Sequence, residues 1–355
     1  MSDATNIKVT RDADRWELEV RAEIPSEALA KYRADALKEV TAEAKIDGFR
    51  PGKAPESVVL QHYGEGALLQ HAAEHAVRHE IPEILAKEKA NIVDSPQVSI
   101  EPPVVGQPLK FIARAPLAPE VKLGDYKKMA IKRNTEKKPA EVTADEHKET
   151  LNHLRRERAR ITHMEAGKNS EEAAAEAGKL EEKDLPALDD EFVKSLGYES
   201  EEKFVELVKS NIRTEKEMRE TEKARAALLD DMVKDSDIKY PAILREYELE
   251  DMEARMAGDL ERMGTTLDKY LTNSKKSIED LRKEWEKPAD ERAKVRLVLS
   301  EIARTEKLEP DAKKLASEIE HAKKLHPASN ESALRAHITH ALRNEAVITW
   351  LEALK

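Results

Sequence analysis

The chain has 355 residues, 39% hydrophobic, 37% charged and only 4% aromatic, so long charge-faced helices around a thin core suit it better than a compact enzyme. With 61 basic and 72 acidic residues the net charge is −11, which excludes wholesale wrapping of nucleic acid and leaves room for a local basic contact. There is no cysteine, so disulfides, thiol catalysis and Cys-based zinc sites are excluded.

The opening MSDATNIKVT has neither a basic region nor an apolar stretch, and no run of 18 apolar residues follows. No signal peptide and no membrane partner are expected, and the expected location is cytoplasmic. Eleven of the 16 prolines lie at or before Pro139, so the front third reads as mixed structure with turns and the rest as helices.

Ile7 and Val9 mark a short strand. Trp16, Leu18, Val20, Ala22 and Ile24 alternate with polar neighbours, as on a half-buried strand. After Pro25, with Ser26 as N-cap, a helix carries Leu29, Tyr32, Ala36, Val40 and Ala44 on one side. The segment 48–55 interrupts it. Helix resumes to Tyr63, pauses at Gly64 to Gly66, and continues to about Ala90 with a kink at Pro82. Residues 98–100 and 109–115 read as returning strands, and this α+β module ends near Pro119.

Downstream, Thr143 and Glu146 form a capping box for a helix reaching Met164. Residues 167–184 lack an apolar period and read as a linker or weak solvated helix. Helices are then expected at 200–236, 241–263, 275–286, 290–306, 311–326 and 330–354. Residues 213–225 are so polar that this stretch is expected to project into solvent or line a wide cleft.

The segment GFRPGKAP, residues 48–55, concentrates the chemistry. Gly48 and Gly52 free the backbone while Pro51 and Pro55 stiffen it, which suits a preformed loop presenting Phe49, Arg50 and Lys53. Phe49 offers an apolar anchor, Arg50 a fork for carboxylate or phosphate, and Lys53 a compact charge. The plainer alternative is a helix–helix turn with Phe49 tucked into the core. A nucleotide loop is excluded, since Gly48-x-x-x-Gly52-Lys53-Ala54 is one residue short and lacks the hydroxyl needed for magnesium.

GFRPGKAP resembles the ribosome-docking signature of trigger factor, the bacterial chaperone family at the nascent-chain tunnel exit. Pro55-Glu56-Ser57-Val58-Val59 after the loop, Leu188-Asp189-Asp190-Glu191-Phe192 with Leu196-Gly197, residues 238–241 with Glu246, and 295–308 resemble other parts of that family. The resemblance implies an α+β N-terminal ribosome-binding module followed by a mostly α-helical, elongated C-terminal chaperone domain with arms. The corresponding divisions are 1–119 for docking, 120–164 for a linker and returning helix, 165–184 for a short linker, and 185–355 for the substrate-binding body.

By the same resemblance, Gly48, Phe49, Arg50, Gly52 and Lys53 are the ribosome-binding residues, contacting the large-subunit tunnel-exit protein and adjacent rRNA. Pro51 replaces an often basic family position, leaving one cation fewer. The other implied partners are nascent or unfolded polypeptides and, off the ribosome, a second copy of the chain. The family's FKBP-type peptidyl-prolyl isomerase domain would fall in 165–184, which is too short to fold alone; no aromatic occurs in 127–191 to line its pocket. An ATP-independent chaperone with no catalytic residue and no cofactor is therefore expected. The alternatives are a helical scaffold without ribosome binding, or a retained isomerase.

Two further patterns stand out. Leu249, Met252, Met256, Leu260 and Met263 form a stripe suited to weak, adaptable client contacts; it equally suits a packing seam. His71, His75 and His79 recur every four residues, with Glu74 and Glu80 near. Such spacing can bind zinc or nickel, but three ligands on one straight helix cannot converge, so a solvated titratable face and no metal is the expectation.

Overall fold

The computed structural model describes residues 3–43, 49, 53, 55–136, 141–195, 197–325, 327 and 330–355. The elements in order are β1 (Thr5–Asp12), β2 (Glu17–Ile24), α1 (Ser26–Glu43), α2 (Glu56–Tyr63), α3 (Glu65–Lys87), β3 (Gln97–Ile100), β4 (Leu109–Pro116) and β5 (Glu120–Lys122). Then come α4 (Tyr126–Glu136), α5 (Ala144–Glu165), α6 (Ser170–Lys179), α7 (Asp190–Ser195), α8 (Glu201–Asp235) and β6 (Asp237–Lys239). The chain closes with α9 (Ala242–Arg262), α10 (Leu267–Ser274), α11 (Ile278–Glu306), α12 (Ala312–Leu325) and α13 (Glu331–Glu352). This is the α+β N-terminal region and helical C-terminal part expected from the sequence. Two compact units, each discontinuous in sequence, contain these elements: Met1–Gly124 with Val233–Asp311, and Asp125–Met232 with Ala312–Lys355.

In the first unit, the alternating residues of β2 put Leu18, Val20, Ala22 and Ile24 on the buried face of an antiparallel sheet ordered β1-β2-β4-β3. Val20 pairs with Ala113 and Ile24 with Leu109, and Ala72, Ala76 and Ile84 of α3 join the same core. The β1–β2 turn holds Trp16 at φ 55°, and its indole N–H donates to the Ala118 carbonyl at 2.8 Å. Ser26, expected as an N-cap, is already helical; Leu29 N–H donates to the Pro25 carbonyl, so Pro25 occupies the capping position.

A two-stranded sheet, β5 with β6, joins segments more than a hundred residues apart and was not expected from the sequence. On α9, Glu248 is buried and accepts from Arg292 Nε at 3.1 Å and Arg296 Nη1 at 2.9 Å on α11. The expected break between 286 and 290 does not occur: α11 runs through Pro288. Proline removes one N–H, and the buried Ala289 and Ala293 beside it secure the helix by packing.

In the second unit, Thr143 and Glu146 form the expected capping box at the start of α5. The stretch read as a linker or weak solvated helix contains α6, capped by Asn169 and packed on α5 through Ala173 and Ala177, which are buried. Small residues spaced one turn apart let the two helices approach closely, a signal too weak to register as an apolar period. The segment after α6 is tied back to α5: Arg155 Nη2 donates to the Leu185 carbonyl at 2.6 Å and its Nε to that of Pro186 at 2.9 Å. Leu188 then enters a core with Val193, Phe204 and Val208. Asp189 accepts from Phe192 N–H and pairs with Arg158 at 3.0 Å, while Asp190 accepts from Glu201 N–H at 2.7 Å. Within this motif Asp189 and Asp190 thus close helix ends, while Leu188 fills a core.

Candidate docking segment and apolar stripe

The candidate docking segment, residues 48–55, lies between the end of α1 and the start of α2. Of its five candidate residues, Phe49 and Lys53 are exposed, Phe49 at 40%; Gly48, Arg50 and Gly52 lie outside the described residues. At this exposure the Phe49 ring is not fully tucked into a core.

The helices on either side of the segment are joined by one side chain that periodicity did not single out. Arg33 of α1 donates through Nε and Nη2 to Glu65 at the start of α3, at 2.7 and 3.0 Å. It also donates to Glu56 at the start of α2, at 3.3 Å. The hydrogen bond from Arg33 lowers the Glu65 carboxyl below its usual range, and Glu65 in turn raises the guanidinium. Val59 is the buried residue of α2, and Gly64, at φ 84°, forms the junction between α2 and α3. Behind this corner is a mainly apolar cleft of about 310 Å³, whose lining includes Val40, Val59, Tyr63 and His71.

The three histidines of α3 do not act as a set. His79 Nδ1 lies 3.0 Å from the Tyr32 hydroxyl, which donates to Glu80 at 3.0 Å; Glu80 is fully buried and also accepts from the Ala4 N–H. Burial, then the bond to Glu80, pushes the Tyr32 phenol up to about 12. His71 and His75 instead gather with Glu39 of α1.

The stripe on α9 divides by exposure. Leu249 and Leu260 are buried, Met252 and Met256 are half-buried, and Met263 is 79% exposed. The leucines are therefore packing residues, while the thioethers remain accessible to different degrees. No helix among the described residues is long and apolar enough to cross a membrane.

The family profile for the bacterial trigger factor protein matches residues 5–154, and that for its C-terminus matches residues 201–351. Between them, residues 155–200 hold the end of α5, α6, a short helical turn and α7, with no strand among the described residues. The chain is 26% identical to trigger factor of Bacillus subtilis (strain 168) over 370 residues, covering 84% of this chain and 86% of that one. It is also 26% identical to a trigger factor of Thermus thermophilus over 351 residues, covering 83% and 84%. Since 84% of this chain is about 298 residues, the 370-residue alignment contains more than 70 positions with no counterpart here. A solved trigger factor chaperone structure, described in terms of promiscuous substrate recognition in folding and assembly, superposes with a TM-score of 0.52 at 18% identity, covering 98% of this chain and all of that one.

Proposed function

The chain belongs to the bacterial trigger factor family, a family of chaperones, in a form without the isomerase insert, and from that premise we propose an ATP-independent chaperone that docks at the ribosomal tunnel exit and shields nascent polypeptides, assisting their folding and export. Residues 1–119 dock, 120–164 return the chain to the body, 165–184 replace the isomerase domain, and 185–355 bind clients. The protein works in the cytoplasm, and two copies associate off the ribosome.

The observation that supports docking most is that Phe49 and Lys53 are both exposed, on a segment whose flanking helices Arg33 ties together. Phe49 supplies apolar area; Arg50 and Lys53 meet carboxylates of the tunnel-exit protein or phosphates of adjacent rRNA. Client binding is passive. Met252, Met256 and Met263 offer thioethers that adapt to varied sequences, and several weak contacts in one tethered chain raise effective affinity without a nucleotide cycle.

No proline-isomerising chemistry is assigned. Between the two family matches the chain holds α6 and the Leu188 segment, where Asn169, Asp189 and Asp190 cap helix ends. A photo-crosslinker at position 49 tests the docking reading: it is expected to capture a protein of the large subunit. Crosslinks only to other segments of this chain would overturn it.

A further inference from the structure

Among the described residues, one group of side chains outside the candidate docking segment has the donor set of a transition-metal site. His71 and His75 sit one turn apart on α3, with ring centroids separated by 4.9 Å. Glu39, one turn before the end of α1, brings its Oε2 to 2.9 Å from His75 Nε2. One donor atom from each residue lies within 4.8 Å of the other two. Three histidines on a straight helix could not converge, but the fold sends His79 to Tyr32 and Glu80 and supplies a carboxylate from α1 as the third donor.

We propose that Glu39, His71 and His75 bind one divalent transition ion of the zinc, cobalt or nickel class. Two imidazole nitrogens and one carboxylate oxygen match that class, whereas calcium and magnesium favour shells of oxygen. Tetrahedral zinc with bonds of about 2.0–2.1 Å places its donors roughly 3.3 Å apart, so closing the group takes side-chain rotation rather than backbone movement. His71 Nδ1 is buried with no hydrogen-bond partner, so turning that ring breaks no hydrogen bond at that atom. The His75 and Glu39 side chains are 29% and 50% exposed, which gives an ion access and leaves water for the fourth position. A bound ion ties the last turns of α1, which lead into the docking segment, to α3. The inference is independent of ribosome docking.

The test is titration of the full chain with zinc chloride by calorimetry and with cobalt chloride by visible absorption, with circular dichroism confirming the fold of each variant. One saturable site per chain is expected, with the intense bands of tetrahedral cobalt. His75→Ala and His71→Ala are expected to abolish it, and Glu39→Gln to weaken it about tenfold or more. His337→Ala with His340→Ala should leave it intact, which separates the site from general binding by the chain's 11 histidines. Absence of a one-to-one step in the wild type, or a step that survives His75→Ala in folded protein, overturns the proposal. Should the histidine variants unfold, the exposed Glu39→Ala decides, and unchanged affinity there overturns it.

Discussion

Arg33 grips Glu65 through two hydrogen bonds, at 2.7 and 3.0 Å, and so joins the helix entering the docking segment to the helix two elements beyond it. The guanidinium also reaches Glu56 at the segment's far end, so a single residue constrains both flanks. Arg33→Ala is expected to lower stability by about 1 kcal/mol, a modest figure because Glu65 is 43% exposed and water screens the pair. Urea unfolding measures this. Arg33→Lys should recover only part of it, since an ammonium cannot fork.

Acid should remove a second contact. Glu146 accepts from Lys216 and from Thr143 at the α5 cap, and these bonds hold its carboxyl down at about 2 against an ordinary 4.5. A lowered folded pKa means the contribution is complete above about 4.5 and is lost as pH falls towards 2. The stability gap between wild type and Glu146→Gln should therefore be constant near neutrality and close across that window. A gap that widened on acidification would contradict the assignment.

Leu188 anchors the segment that lies between the two family matches. It is buried with Val193, Phe204 and Val208, so Leu188→Ala is expected to cost about 2–5 kcal/mol in urea unfolding. A cost near zero would mean the segment is not integral to its unit.

On α9 the predictions separate packing from client contact. Leu260→Ala should destabilise by about 2–5 kcal/mol, because the side chain is buried. Met263→Ser should leave stability within about 0.5 kcal/mol, since the thioether is largely in solvent. If the accessible methionines bind clients, Met263→Ser should nonetheless reduce suppression of aggregation by an unfolded test protein.

Much of the fold is legible in the chain itself. Strict alternation from Leu18 to Ile24 marks β2, although Trp16, which continues the pattern, falls in the β1–β2 turn; the Thr143 box marks the start of α5, and glycine and proline lie in the candidate docking segment between α1 and α2. What escapes are choices of distant partner. Nothing periodic announces that Arg33 takes Glu56 and Glu65, that Glu39 meets His75, or that β5 pairs with β6. Local rules also give way to packing: Pro288 reads as a break yet lies within a helix beside buried alanines, and Ala173 with Ala177 builds a contact from residues too small to register as apolar. For the docking segment, the sequence leaves Phe49 either outward or in the core, and the structure leaves it 40% exposed.

Co-sedimentation with purified large ribosomal subunits tests the central claim most directly. Wild type is expected to pellet with the subunits, less so as salt rises, because Arg50 and Lys53 would neutralise phosphate or carboxylate. Phe49→Ala combined with Arg50→Ala, folded by circular dichroism, is expected to remain in the supernatant. Equal pelleting of the two proteins would contradict docking through this segment.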